Sequence, residues 1–183
     1  MVLKPQDLLV AIRLALLPAG ALFKYTEAAS ALGLSRSEVH AAVRRCLAAQ
    51  LASEFAHRAD AAVEVNHGNL VEFLLHGVRF AFPPTLGGVT RGVPTAHAAP
   101  GLAGRFAPSD LLPPVWPHPE GTTRGRAFEP LYRSAPVAAA ADPRMYTALA
   151  LIDAIRGGTA RDRRVAAPLL EALLAPSGSG GSP

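Results

Sequence analysis

Residues 25–44 read YTEAASALGLSRSEVHAAVR, and the rest of the chain is best understood outward from this stretch. Ser35 followed three residues later by Glu38 is a capping box, which starts a helix at Ser35. Gly33, two residues earlier, tolerates the left-handed backbone that a tight turn requires. The segment from Thr26 to about Leu32 is then a short helix, and the one from Ser35 to about Gln50 a longer one, with Val39, Val43, Cys46 and Leu47 on one side. Ala29 is small enough for a second helix to cross close by. Ala28, Leu32, Leu34, Val39 and Ala42 supply the apolar joint between the two.

That spacing is the pattern of a helix-turn-helix. It leaves an outer face made of Ser35, Arg36, Ser37, His40, Ala41 and Arg44, with Arg45 beside it. A helix presenting such residues suits the major groove of DNA: arginines make paired hydrogen bonds to guanine, and serines and first-turn amides meet phosphates. Upstream, Pro5 is a first-turn proline and Leu8, Leu9, Ile12 and Leu16 follow at helical spacing, until Pro18 and Gly20 stop that helix. Downstream, Leu51–Phe55 and Ala62–Asn66 read as a hairpin around the polar run His57-Arg58-Ala59-Asp60.

Helix, helix, helix, hairpin resembles the winged helix-turn-helix of MarR-like bacterial transcription regulators over residues 3–66. The resemblance implies a wing whose tip residues, His57 and Arg58, approach the DNA backbone or minor groove. It also implies double-stranded DNA as partner and a homodimer. Glu54, Asp60 and Glu64 depart from the pattern, because a wing facing DNA is usually basic.

The expected organisation is mainly α: a DNA-binding domain at 1–66, a linking or dimerisation helix at 67–82, a Pro/Gly-rich extended strap at 83–141, C-terminal helices at 142–175, and a flexible tail at 176–183. Apolar residues from Leu70 to Phe82 argue for the linking helix, stopped by Pro83-Pro84. The strap holds most of the prolines, yet its Phe106, Trp116, Phe128, Leu131 and Tyr132 argue for a segment lying against the folded parts. Asp142-Pro143 is an N-cap with a first-turn proline, Gly157-Gly158 ends that helix, and Thr159 caps the last, inside which Pro168 predicts a kink or a delayed start. The helices at 68–82 and 142–174 are expected to supply a dimer surface. The strap and final helix also look like those of small regulators encoded beside toxin genes. A protein-interaction or antitoxin-like role is therefore the alternative.

The bulk composition narrows the classes. Half of the 183 residues are hydrophobic, enough for a packed core. The net charge is +4, and Lys+Arg against Asp+Glu count 7 to 6 over residues 1–66, 6 to 4 over 67–141 and 5 to 4 over 142–183. The basic excess is thus diffuse, and any DNA argument rests on particular arginines. A single cysteine, Cys46, allows neither an internal disulfide nor a cysteine zinc site, and fits a small core residue in a cytoplasmic protein. Asp7 and Arg13 interrupt the apolar N-terminal run, so neither a signal peptide nor a membrane span is expected. His67, His76, His97 and His118 lack metal-site spacing. No paired carboxylates, nucleophile–base arrangement or phosphate loop marks a catalytic centre, and no cofactor is expected.

Overall fold

The computed structural model describes residues 2–57, 60–107 and 111–176. It is mostly helical with a small amount of sheet. Helix α1 (Pro5–Ala15) begins at the first-turn proline, and the Asp7 carboxylate accepts the Lys4 backbone N–H at 2.7 Å. Helix α2 (Tyr25–Leu32) ends where Gly33 adopts φ +62°, with the Leu34 amide returning to the Ala29 carbonyl at 2.9 Å. Helix α3 (Arg36–Ala48) starts at Ser35 with both arms of its capping box formed. At its other end Gln50, at φ +57°, closes the same kind of turn, and the Leu51 amide meets the Cys46 carbonyl at 2.9 Å.

Strands β1 (Ala52–His57) and β2 (Asp60–Val65) form an antiparallel hairpin in which Ala52 faces Val65 and His57 faces Asp60. Each strand is a little longer than sequence suggests, alanine content notwithstanding. The next helix is not uniform. Helix α4 (His67–Glu72) passes into a π-helical turn at Phe73–Gly77 and continues as α5 (Val78–Ala81).

The strap differs most from its sequence reading. Strand β3 (Leu86–Pro94) pairs antiparallel with both β4 (Pro114–Pro117) and β5 (Thr123–Phe128), and β4 and β5 pair parallel, so three strands close on one another. The prolines are tolerated because Pro94, Pro114 and Pro117 stand at strand ends. The glycines are needed because the strands approach so closely: a Cβ on Gly121 would collide with the backbone of Gly92, and one on Gly92 with the Trp116 carbonyl. The strap also contains helix α6 (Ala135–Ala141). What reads as turn chemistry is thus a small closed sheet followed by a helix.

Helix α7 (Pro143–Gly157) is capped by Asp142, which accepts the Arg144 and Met145 amides, and every residue from Ala148 to Arg156 is buried by its own chain. The apolar stripe of α7 is thus spent inside the chain, and only residues near its two ends, Pro143, Arg144 and Gly157, are exposed. Helix α8 (Ala160–Leu174) runs through Pro168 without interruption. Pro168 and Arg164, the residue whose carbonyl would pair with the amide that proline lacks, are both exposed.

Three polar contacts tie these parts together. Asp142 pairs with Arg13 at 2.9 Å and Arg144 donates to the Leu16 carbonyl, joining α7 to the end of α1. His67 Nδ1 meets the Leu174 carbonyl at 2.6 Å, joining α4 to α8. The third is wholly buried. Asp153 accepts from Thr95 Oγ1 (2.8 Å), Trp116 Nε1 (2.6 Å) and Arg156 (2.7 Å), while Arg156 also donates to the Phe82 and Glu129 carbonyls. Trp116 is fully buried, an anchor as its flanking prolines suggest. Burial raises the Asp153 carboxyl above the usual range, and its three donors pull it back. One acid and one arginine of α7 thereby hold the closed sheet and the end of α5.

Candidate nucleic-acid interface

The inner face of α3 consists of Val39, Ala42, Val43 and Cys46, all at most 2% exposed, packed on α1 and α2. At the corner between α2 and α3, a Cβ on Gly33 would lie 3.2 Å from Ser134 Cβ and Val137 Cγ1. Gly33 is thus needed twice, for its positive φ and for the close approach of α6. Ala28, Ala29, Leu32 and Leu34 are buried as the apolar joint requires.

The opposite face of α3 is open. Ser35, Arg36, Ser37, His40 and Arg44 are exposed. Ser35 Oγ accepts the Glu38 amide at 3.2 Å and lies 3.0 Å from Ser37 Oγ, so the two hydroxyls sit together at the start of the helix. Glu38 returns a bond to the Ser35 amide at 2.8 Å; this contact, with smaller contributions from Arg133 and Tyr132, holds its carboxyl below the usual range. The His40 ring stacks on Tyr25 with centroids 3.9 Å apart and planes 8° from parallel, which fixes its orientation without covering it. Among the described residues neither Arg36 nor Arg44 has an ion-pair partner.

Arg45 does not belong to this face. Its Nε and Nη2 bind both oxygens of Asp7, at 2.7 and 2.6 Å, and Asp7 is fully buried. The guanidinium is turned inward toward α1, and its geometry is that of a structural clamp. Cys46 lies next to this pair and donates to the Asp7 carbonyl at 3.4 Å. Burial and the Asp7 charge push its thiol up to about 12, so it is a core residue.

His57 ends β1, and Arg58 lies outside the described residues. Glu54 of β1 is exposed and close enough to Tyr25 to help raise the tyrosine hydroxyl, behind the larger effect of burial. An acidic group therefore stands on the hairpin side of the open face. On the other side stands Arg133, exposed and 5.7 Å over the Tyr132 ring, near enough to act on Glu38. Sequence reading missed Arg133 and Tyr25. Arg133 lies almost a hundred residues away in a segment that reads as strap, and only the packing of α6 on the Gly33 corner brings it here.

Among the described residues no group of three or more His, Cys, Asp or Glu stands close enough to hold a metal ion, and no helix is long and apolar enough to cross a membrane. No protein-family model, no curated protein and no solved structure matches the chain.

Proposed function

We propose that this chain is a sequence-specific regulator of transcription that binds double-stranded DNA with the helix beginning at Ser35 in the major groove. On this reading residues 3–66 act as a MarR-like winged helix-turn-helix. The observation that carries it is the division of α3: one face wholly buried, the other an open row of Ser35, Arg36, Ser37, His40 and Arg44, whose two guanidiniums have no ion-pair partner among the described residues. The serine hydroxyls and first-turn amides suit phosphate oxygens. Arg36 and Arg44 suit base edges, where each paired contact is worth about 1–3 kcal/mol. Arg133 adds a cation beside the start of the helix. His57 and Arg58 are proposed wing contacts, weakened by the acidic Glu54 and Glu64.

One reading helix covers only a few base pairs, so the protein is proposed to act as a homodimer on paired half-sites. It is proposed to work in the cytoplasm, without cofactor and without catalysis. Footprinting across a genome with the tagged protein tests the reading. Discrete protected sites support it, and protection no greater than that of a tagged unrelated protein overturns it.

One observation favours a second reading, a protein-interaction or antitoxin-like module. Leu86, Val89, Leu111 and Leu112 are each more than half exposed, and Arg126 lies among them on the closed sheet. An apolar patch with arginine is the composition of protein interfaces. A stoichiometric partner that co-purifies through high salt, and is lost when Leu86 and Val89 become serine, supports it.

A further inference from the structure

We propose that the groove between α5 and α8 binds an amphiphile that has one anionic head group, carboxylate or monophosphate, and an apolar tail. The inference does not depend on the DNA reading. Helix α8 presents Ala160, Arg163, Arg164 and Ala167, spaced as one helical stripe, toward the π-helical turn and α5, which present Leu75, His76, Arg79 and Phe80. The hollow between them is about 640 Å3, within the range of small-ligand sites, and Ile155 of α7 forms its floor. Two small alanines on α8 open the space. A π-helical turn, rare and frequent at functional sites, sets the facing wall.

The charged groups in the groove are all cationic: Arg79, Arg163 and Arg164 line it beside His76, and among the described residues no carboxylate does. Among the described residues none of them forms an ion pair. Two are already positioned: the Arg79 guanidinium lies 4.2 Å over the Phe80 ring, and Arg163 donates to the Gly158 carbonyl at 2.7 Å. The apolar part is not covered either, since Phe80 is 70% exposed. A second copy of the chain is a poor occupant, because a symmetric contact would set these arginines against themselves. A guanidinium pair recognises carboxylate and phosphate by the same forked geometry, and the apolar floor takes a tail.

Calorimetric titration of the full chain with octanoate, decanoate, octyl phosphate, octanol and octyltrimethylammonium, all below micellar concentrations, tests this. Decanoate binds more tightly than octanoate, by about fourfold for each methylene it buries. Octanol and the cationic amphiphile bind about tenfold or more weakly than the anions, as expected when a charge-assisted hydrogen bond is lost. Whether octanoate or octyl phosphate binds better identifies the head group, and either order supports the site. Arg164→Gln and Arg79→Gln weaken the anions about tenfold each, leave octanol unchanged and keep the far-ultraviolet spectrum. Amide chemical-shift changes centre on residues 75–80 and 155–167. Absence of saturable binding by either anion, equal affinity for octanol and octanoate, or shifts centred elsewhere would overturn the proposal.

Discussion

Replacing Arg45 with alanine separates holding the fold from touching DNA. The guanidinium makes both of its bonds to Asp7, whose carboxylate is fully buried, while the Arg45 side chain is itself only 13% exposed. Removing one partner of a buried ion pair costs about 3–5 kcal/mol, because the other charge is left without compensation. Asp7 keeps its bond from the Lys4 amide, which puts the expected loss near the lower end, about 3 kcal/mol. For a chain of this size that lowers the melting temperature by about 6–12 °C. Urea denaturation followed by circular dichroism gives the loss directly. The double change Asp7→Asn with Arg45→Leu restores part of it, since removing both charges leaves no unpaired charge buried and the asparagine can still accept the Lys4 amide. DNA affinity, measured where each variant is fully folded, stays within about twofold of the parent, a difference of only a few tenths of a kcal/mol. A stable Arg45→Ala protein that has lost DNA affinity would refute the reasoning and return Arg45 to the reading face.

Three further outcomes follow from the geometry. Gly121→Ala drives a methyl group into the Gly92 backbone and destabilises the closed sheet by at least about 2 kcal/mol, read as a lowered urea midpoint; an unchanged midpoint would contradict the close strand approach. Cys46, buried with its thiol pushed up to about 12, reacts with iodoacetamide only as fast as the protein opens, so labelling of the native chain at the rate of a free thiol would count against its placement. The Glu38 carboxyl is held below its ordinary value by the Ser35 contacts. Its contribution is therefore present above the unfolded-state pKa and is lost as pH falls through the lowered folded one. Glu38→Gln, which can keep the box but not the charge, flattens the acid arm of the stability profile, and identical profiles for the two proteins would argue that the Glu38 charge contributes nothing.

The first three helices were legible because local chemistry and tertiary packing agree there. The 3.6-residue spacing of Val39, Ala42, Val43 and Cys46, the Ser35–Glu38 box and the left-handed Gly33 each act within a few residues of themselves. Arg45 was misread because it stands next to the open face in sequence, and only its pairing with a residue 38 positions earlier turns it inward. The sheet was illegible for a different reason. Gly92, Gly121 and Gly125 are strand or near-strand positions emptied of side chains so that three backbones can close on one another, and a glycine of that kind cannot be told from a turn glycine by local pattern. Asp153 and Arg156 have the i, i+3 spacing of a solvated surface pair. They are buried instead, because the sheet supplies Thr95 and Trp116 and the adjoining backbone supplies the Phe82 and Glu129 carbonyls.

The most direct test of the central claim is the affinity of the Arg36→Ala/Arg44→Ala protein for a footprinted site, set against its affinity for an unrelated duplex over a range of salt concentrations. If α3 reads the major groove, the variant stays folded and loses about 1–3 kcal/mol of site-specific affinity for each arginine that reads a base, while its affinity for the unrelated duplex changes much less. Undiminished preference for the site in this doubly substituted protein would contradict the assignment of α3 as the reading helix.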